Sequence, residues 1–182
     1  MASDEPTNNR IFGLMTRAEQ NKRTARVERW PAAWGWLFPA TYAIHLAEEL
    51  WGGEGFVAWF ARIAGVELAG GQFLLWNVLA LLLMSASIVL MTRYQHLRPL
   101  LLAYGVTFLL NALSHLIAGI YTNSYSPGTL SGLLLWMPLG ALTLLRFGKT
   151  LSRRARRAGL FVGAAMHCIV VLLTLLGERL RV

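Results

Sequence analysis

Apolar residues run through this chain in five stretches of near-membrane length, with polar residues collected between them. The stretches lie near residues 33–51, 72–92, 99–120, 129–147 and 158–178. Each approaches the ~20 residues that a helix needs to cross a ~30 Å hydrocarbon core. The pattern predicts an all-α fold, a polytopic membrane helical bundle of about five transmembrane helices. Between the first two stretches, GGEGFVAWFARIAGVELAGGQ has glycine pairs at both ends and an amphipathic middle. It reads as a short interfacial helix. Residues 1–30 are polar and basic, a cytoplasmic tail or surface helix, and residues 31–182 form the membrane domain. The first stretch carries Pro39, expected to kink its helix just before His45.

Composition agrees with the pattern. The chain is 55% hydrophobic and 14% charged, against roughly 25% charged in ordinary soluble domains. Its net charge of +8 comes from basic blocks between the apolar stretches, which suits topology signals and not a nucleic-acid surface. With the N-terminus cytoplasmic, fourteen of the seventeen Lys and Arg residues fall on the cytoplasmic side. That asymmetry predicts N-terminus in, C-terminus out, in a plasma membrane. The RRARR block at 153–157 reads as part of this signal, with anionic-lipid binding as the alternative. The N-terminus shows no signal-peptide pattern. The lone Cys168 excludes an intrachain disulfide.

Ionisable groups stand out in such a chain. The first stretch holds His45, Glu48 and Glu49, the third holds Asn111 and His115, and the fifth holds His167. At ~1.5 Å rise per residue, the two glutamates and His115 come to one level in the outer half of the membrane, with His45 and Asn111 about a turn below. Each unpaired charge there costs at least ~2.5–3.5 kcal/mol on insertion scales. Two imidazoles and two carboxylates on neighbouring helices are a ligand set for a divalent metal, zinc ahead of iron. His45, Glu49 and His115 are the expected ligands, with Glu48 as general base and Asn111 or Tyr125 orienting substrate. Interhelical hydrogen bonding is the competing reading, favoured for His167 alone. The uncharged loop at 121–132 contains Ser126-Pro127-Gly128, a type II turn that should fold Tyr125 and Ser126 over the outer mouth of the site.

HLAEE at 45–49, NALSH at 111–115 and YSPG at 125–128, in that order, resemble the HXXEE family of bacterial membrane proteins, named for the first motif. The resemblance implies an integral membrane protein with enzymatic activity at His45, Glu48, Glu49, Asn111, His115 and the Tyr125–Gly128 turn, and supplies no substrate. The expected activity is metal-dependent hydrolysis of a lipid or small amphiphile, the chain working alone or as a homo-oligomer. A proton- or cation-coupled transporter and a non-catalytic membrane subunit are the alternatives.

Overall fold

The computed structural model describes residues 33–176. The basic tail expected over residues 1–30 and the end of the last expected span lie outside the described residues. The fold is built from α1 (Leu37–Trp51), α2 (Phe56–Ala64), α3 (Gly70–Arg93), α4 (Pro99–Tyr121), α5 (Thr129–Phe147) and α6 (Arg153–Leu176). A short 3₁₀ turn, Gln95–Leu97, joins α3 to α4. No strand occurs among the described residues.

Among the described residues, four helices are long and apolar enough to cross a membrane: α3, α4 with its preceding turn, α5 and α6. The chain is therefore built as an integral membrane protein. The expected first span is shorter than the rest. Its regular part, α1, has 15 residues, about 22 Å at 1.5 Å per residue. The helix also breaks earlier than expected, at Trp36, not just before His45. Pro39 thereby sits in the first turn of α1, where its missing N–H leaves no bond unmade.

Other boundaries moved for local reasons. The helix expected at the interface is only nine residues, because Gly65 closes it in the left-handed conformation, φ 65°. Gly70 and Gly71, expected in the linker, open α3 instead. Helix α6 starts at Arg153 rather than near 158, so the RRARR block is helical. Ser152 caps that end, its Oγ accepting from the Ala155 N–H at 3.2 Å, and arginine is a good helix former.

Helix α4 is the centre of the bundle, packed by α5 on one side and α6 on another, while α1 lies against α3. Small residues let α6 approach: a Cβ on Gly159 would lie 2.7 Å from the Pro99 carbonyl oxygen, and one on Gly163 would lie 2.5 Å from that of Ala103. The Thr107 hydroxyl donates to the Gly163 carbonyl across this contact at 3.0 Å. Gly159 and Gly163, four apart, form the small-residue stripe that close helix pairs use in membranes. On the opposite side of α4, Phe38, Phe108, Tyr104 and Trp136 make the aromatic core that carries α1 and α5.

Helix α5 is not uniform. Residues Gly132–Trp136 form a wider π turn directly above Pro138. Proline has no N–H to return to the preceding turn, so the ladder opens there and takes an extra residue. The widened turn holds Trp136 stacked between two rings, with centroids 3.7 Å from His45 and 3.9 Å from Phe108. A break in regular helix thus falls beside the ionisable groups.

Candidate metal centre

Helices α1 and α4 place His45, Glu49 and His115 together in the interior, each 6% exposed or less. His45 and Glu49 are one turn apart on one helix face. Glu49 Oε1 stands 3.5 Å from His45 Nε2 and 3.3 Å from His115 Nε2. One ligand atom from each residue lies within 4.8 Å of the others, so the three can hold a metal ion. A tetrahedral ion with bonds of ~2.0–2.1 Å sets its donors about 3.3–3.4 Å apart, close to both separations. The His45 Nε2 atom is buried and makes no hydrogen bond to any described residue. Such orphans are rare in folded proteins, and this one faces the carboxylate at ligand spacing.

The far sides of both imidazoles are fixed. His45 Nδ1 is 2.8 Å from the Ser131 hydroxyl, and His115 Nδ1 is 3.0 Å from that of Ser126. In the tautomer that gives each Nδ1–H to its serine, each Nε2 lone pair is aimed at Glu49, as in metal sites whose outer partners orient the ligating histidines. The other tautomer accepts from the serines and donates each Nε2–H to Glu49. In the first tautomer three acceptors face one another in a low-dielectric interior. A shared cation, metal or proton, is what reconciles them. Trp136 stacks on the His45 ring, and Phe56 of α2 lies 5.5 Å from the His115 ring.

The turn between α4 and α5 completes the cradle. The Thr129 N–H donates to the Ser126 carbonyl at 3.0 Å, and Gly128 has φ 102° and ψ −11°. These are the marks of a type II turn with Pro127 and Gly128 at its centre, as the sequence predicts. A Cβ on Gly128 would lie 2.8 Å from the Cε1 atoms of both His45 and His115. Only glycine lets the backbone close over the two rings.

Glu48 stands apart from the cluster, although it is adjacent to Glu49. Its carboxylate accepts from the backbone N–H groups of Gly128 at 3.1 Å, Leu130 at 2.9 Å and Ser131 at 2.6 Å. The Tyr125 hydroxyl donates to it as well, at 2.5 Å. These N–H groups are the orphan donors at the start of α5, where a negative charge also meets the positive end of the helix dipole. Glu48 is thus a cap supplied by another helix. Tyr125 lies in the loop outside the spans, and burial together with its bond to Glu48 pushes its phenol up to about 12, so it stays a donor at any physiological pH.

Asn111 does not join the three ligands. It lines a cavity of about 740 Å³ that also reaches His45, Glu49, His115 and His167. His167 is 3.1 Å from the Ser114 hydroxyl through Nε2, and its buried Nδ1 has no partner among the described residues. Sequence reasoning missed Ser131 and Trp136. No motif marks a serine two residues beyond the turn, and a tryptophan in an apolar helix reads as core.

The model of a family described as a protein of unknown function with HXXEE motif matches residues 36–143. The chain belongs to the HXXEE family. No match was found among curated proteins or solved structures. The matched region of this HXXEE protein contains every residue of the cluster, both serines and the capping glutamate, and it stops short of α6 and His167.

Proposed function

We propose that this protein is a metal-dependent membrane hydrolase acting on a lipid or small amphiphile near the outer face. The observation that carries the reading is the orphaned His45 Nε2 set at ligand spacing beside Glu49 and His115. Two histidines and one glutamate are a donor set that catalytic zinc sites use, leaving one position open. Zinc there supplies Lewis acidity and lowers the pKa of a water toward ~7.

The remaining residues prepare that site. Ser126 and Ser131 hold the imidazoles in the tautomer that presents Nε2. Glu48 is reassigned from general base to positioning residue, because its acceptors are occupied by three N–H groups and a phenol. It pins the start of α5, and with it Ser131 and Gly128, against α1. Asn111, on the cavity wall one turn from His115, orients substrate through its carboxamide. The aromatic rings of Trp136 and Phe56 exclude bulk water, which strengthens every polar contact inside. Purified protein should carry about one zinc per chain by elemental analysis. Wild-type protein that binds no zinc when zinc is supplied would sink the reading.

The orientation belongs to the same proposal, since it sets which side the substrate comes from. With Cys168 replaced by serine, Tyr121→Cys, at the exposed start of the 121–132 loop, should react with an impermeant thiol reagent from outside. A cysteine at position 152 should react only from the cytoplasmic side. Labelling of position 152 from outside would invert the topology.

A further inference from the structure

Two pockets meet at Glu49. One, about 410 Å³, lies under α2 and the 65–70 connection and is lined by Glu49, Glu54, Phe56, Glu67 and Leu68 among others. The second is the 740 Å³ cavity, which falls in the ~300–1,000 Å³ range of small-molecule sites. Glu49, Phe56 and Leu68 line both. The larger cavity runs away from the cluster between α3, from Gln72 to Met84, and α6, from Met166 to Leu175. That is about 18 Å of wall along α3. Its lining on α3 and α6 is mostly apolar, and these two are the least covered of the four long helices. The site therefore sits at the junction of a small pocket that holds three carboxylates and a long apolar cavity.

Charge narrows the chemistry further. Neither pocket has a lysine or arginine among its lining residues. Phosphoryl groups are recognised through several such cations. A phosphodiester at this junction would have only the metal to answer its charge, beside the carboxylates of Glu49 and Glu67 and a Glu54 already paired with Arg62. A neutral carbonyl link meets no such conflict. The Trp136 Nε1–H is buried, has no acceptor among the described residues, and belongs to a residue lining the cavity beside His45. It is a donor suited to a carbonyl oxygen.

We infer that the substrate is a single-chain acyl amphiphile, a fatty-acyl ester or amide with a small polar head. Its chain enters from the bilayer between α3 and α6 and lies in the 740 Å³ cavity, with its carbonyl beside Glu49 and its head in the 410 Å³ pocket. This assignment rests on the hydrolase reading of the same site. The reaction consumes one water: the bond from the carbonyl carbon to oxygen or nitrogen breaks, and the carbon gains a hydroxyl. The leaving alcohol or amine takes the second proton. The carboxylic acid retains the chain and returns to the membrane, while the small head leaves by the outer pocket.

The test compares three probes on zinc-loaded protein in zwitterionic nanodiscs: dodecanohydroxamate, acetohydroxamate and dodecylphosphonate. Ala80, on the cavity wall and outside the cluster, is replaced by tryptophan to fill the chain compartment. Ala80→Trp should weaken dodecanohydroxamate at least tenfold and leave acetohydroxamate unchanged, which also shows that the variant is folded. Dodecylphosphonate, with the same chain and more negative charge, should bind wild type at least tenfold more weakly than the hydroxamate. Unchanged binding of dodecanohydroxamate to Ala80→Trp would overturn the chain assignment, and phosphonate binding as tight as hydroxamate would overturn the neutral link. Insensitivity of both hydroxamates to chelator is the separate failure of the metal reading. The Ala80→Trp arm still decides the chain compartment in that case.

Discussion

Gly128→Ala should leave a protein that binds no metal and melts far below wild type. The added methyl would lie 2.8 Å from Cε1 of both His45 and His115, at a φ of 102° that L side chains rarely adopt. The backbone strain costs about 1–3 kcal/mol. Overpacking two buried rings costs a further ~1–3 kcal/mol. Neither ring can step aside freely, since each Nδ1 is held by a serine and the His45 ring is stacked on Trp136. Moving them breaks the ligand geometry, so metal content should fall to background by elemental analysis. A Gly128→Ala protein that keeps full metal would show that the turn does not shape the centre.

The second large effect separates the adjacent glutamates. Neighbours on a helix point about 100° apart, so one carboxylate reaches the histidines and the other reaches α5. Glu49→Gln should lose metal, and its melting curve should no longer respond to zinc or chelator. Glu48→Gln should keep metal binding but lose about 2 kcal/mol, because a neutral amide no longer answers the helix dipole and its NH₂ group competes with three N–H donors. For a chain of this size that is roughly 4–8 °C in melting temperature. Identical metal loss in both variants would mean that both carboxylates ligate.

Much of this arrangement was legible in the chain. Ionisable residues inside apolar stretches announced a site, and the one-turn spacing of His45 and Glu49 gave its first half. Common depth brought in His115. The Ser-Pro-Gly turn was readable because proline and glycine each allow so few conformations. What stayed hidden depended on contacts between distant segments. Spacing puts Glu48 and Glu49 on one broad face, but only the placement of α5 decides which joins the histidines and which caps a helix. The partnership of His45 with Ser131 spans 86 residues and leaves no local trace. The Gly159/Gly163 stripe was present in the sequence as GLFVG, and its meaning appears only once α6 is laid against the carbonyls of α4. Helix α1 is shorter than the stretch expected over 33–51 because the chain turns at Trp36.

The most direct measurement is a set of melting curves in detergent for wild type and His115→Ala, each with chelator and with added zinc. A ligand that binds only the folded state stabilises it by RT ln(1 + [L]/Kd), about 1.4 kcal/mol for each tenfold excess above Kd. Wild type should therefore melt lower in chelator and progressively higher as free zinc rises, while His115→Ala gives one curve under all conditions. A wild-type curve that neither chelator nor zinc moves, in a protein that holds no metal, would contradict the account and leave His45, Glu49 and His115 as a proton-sharing contact between two helices.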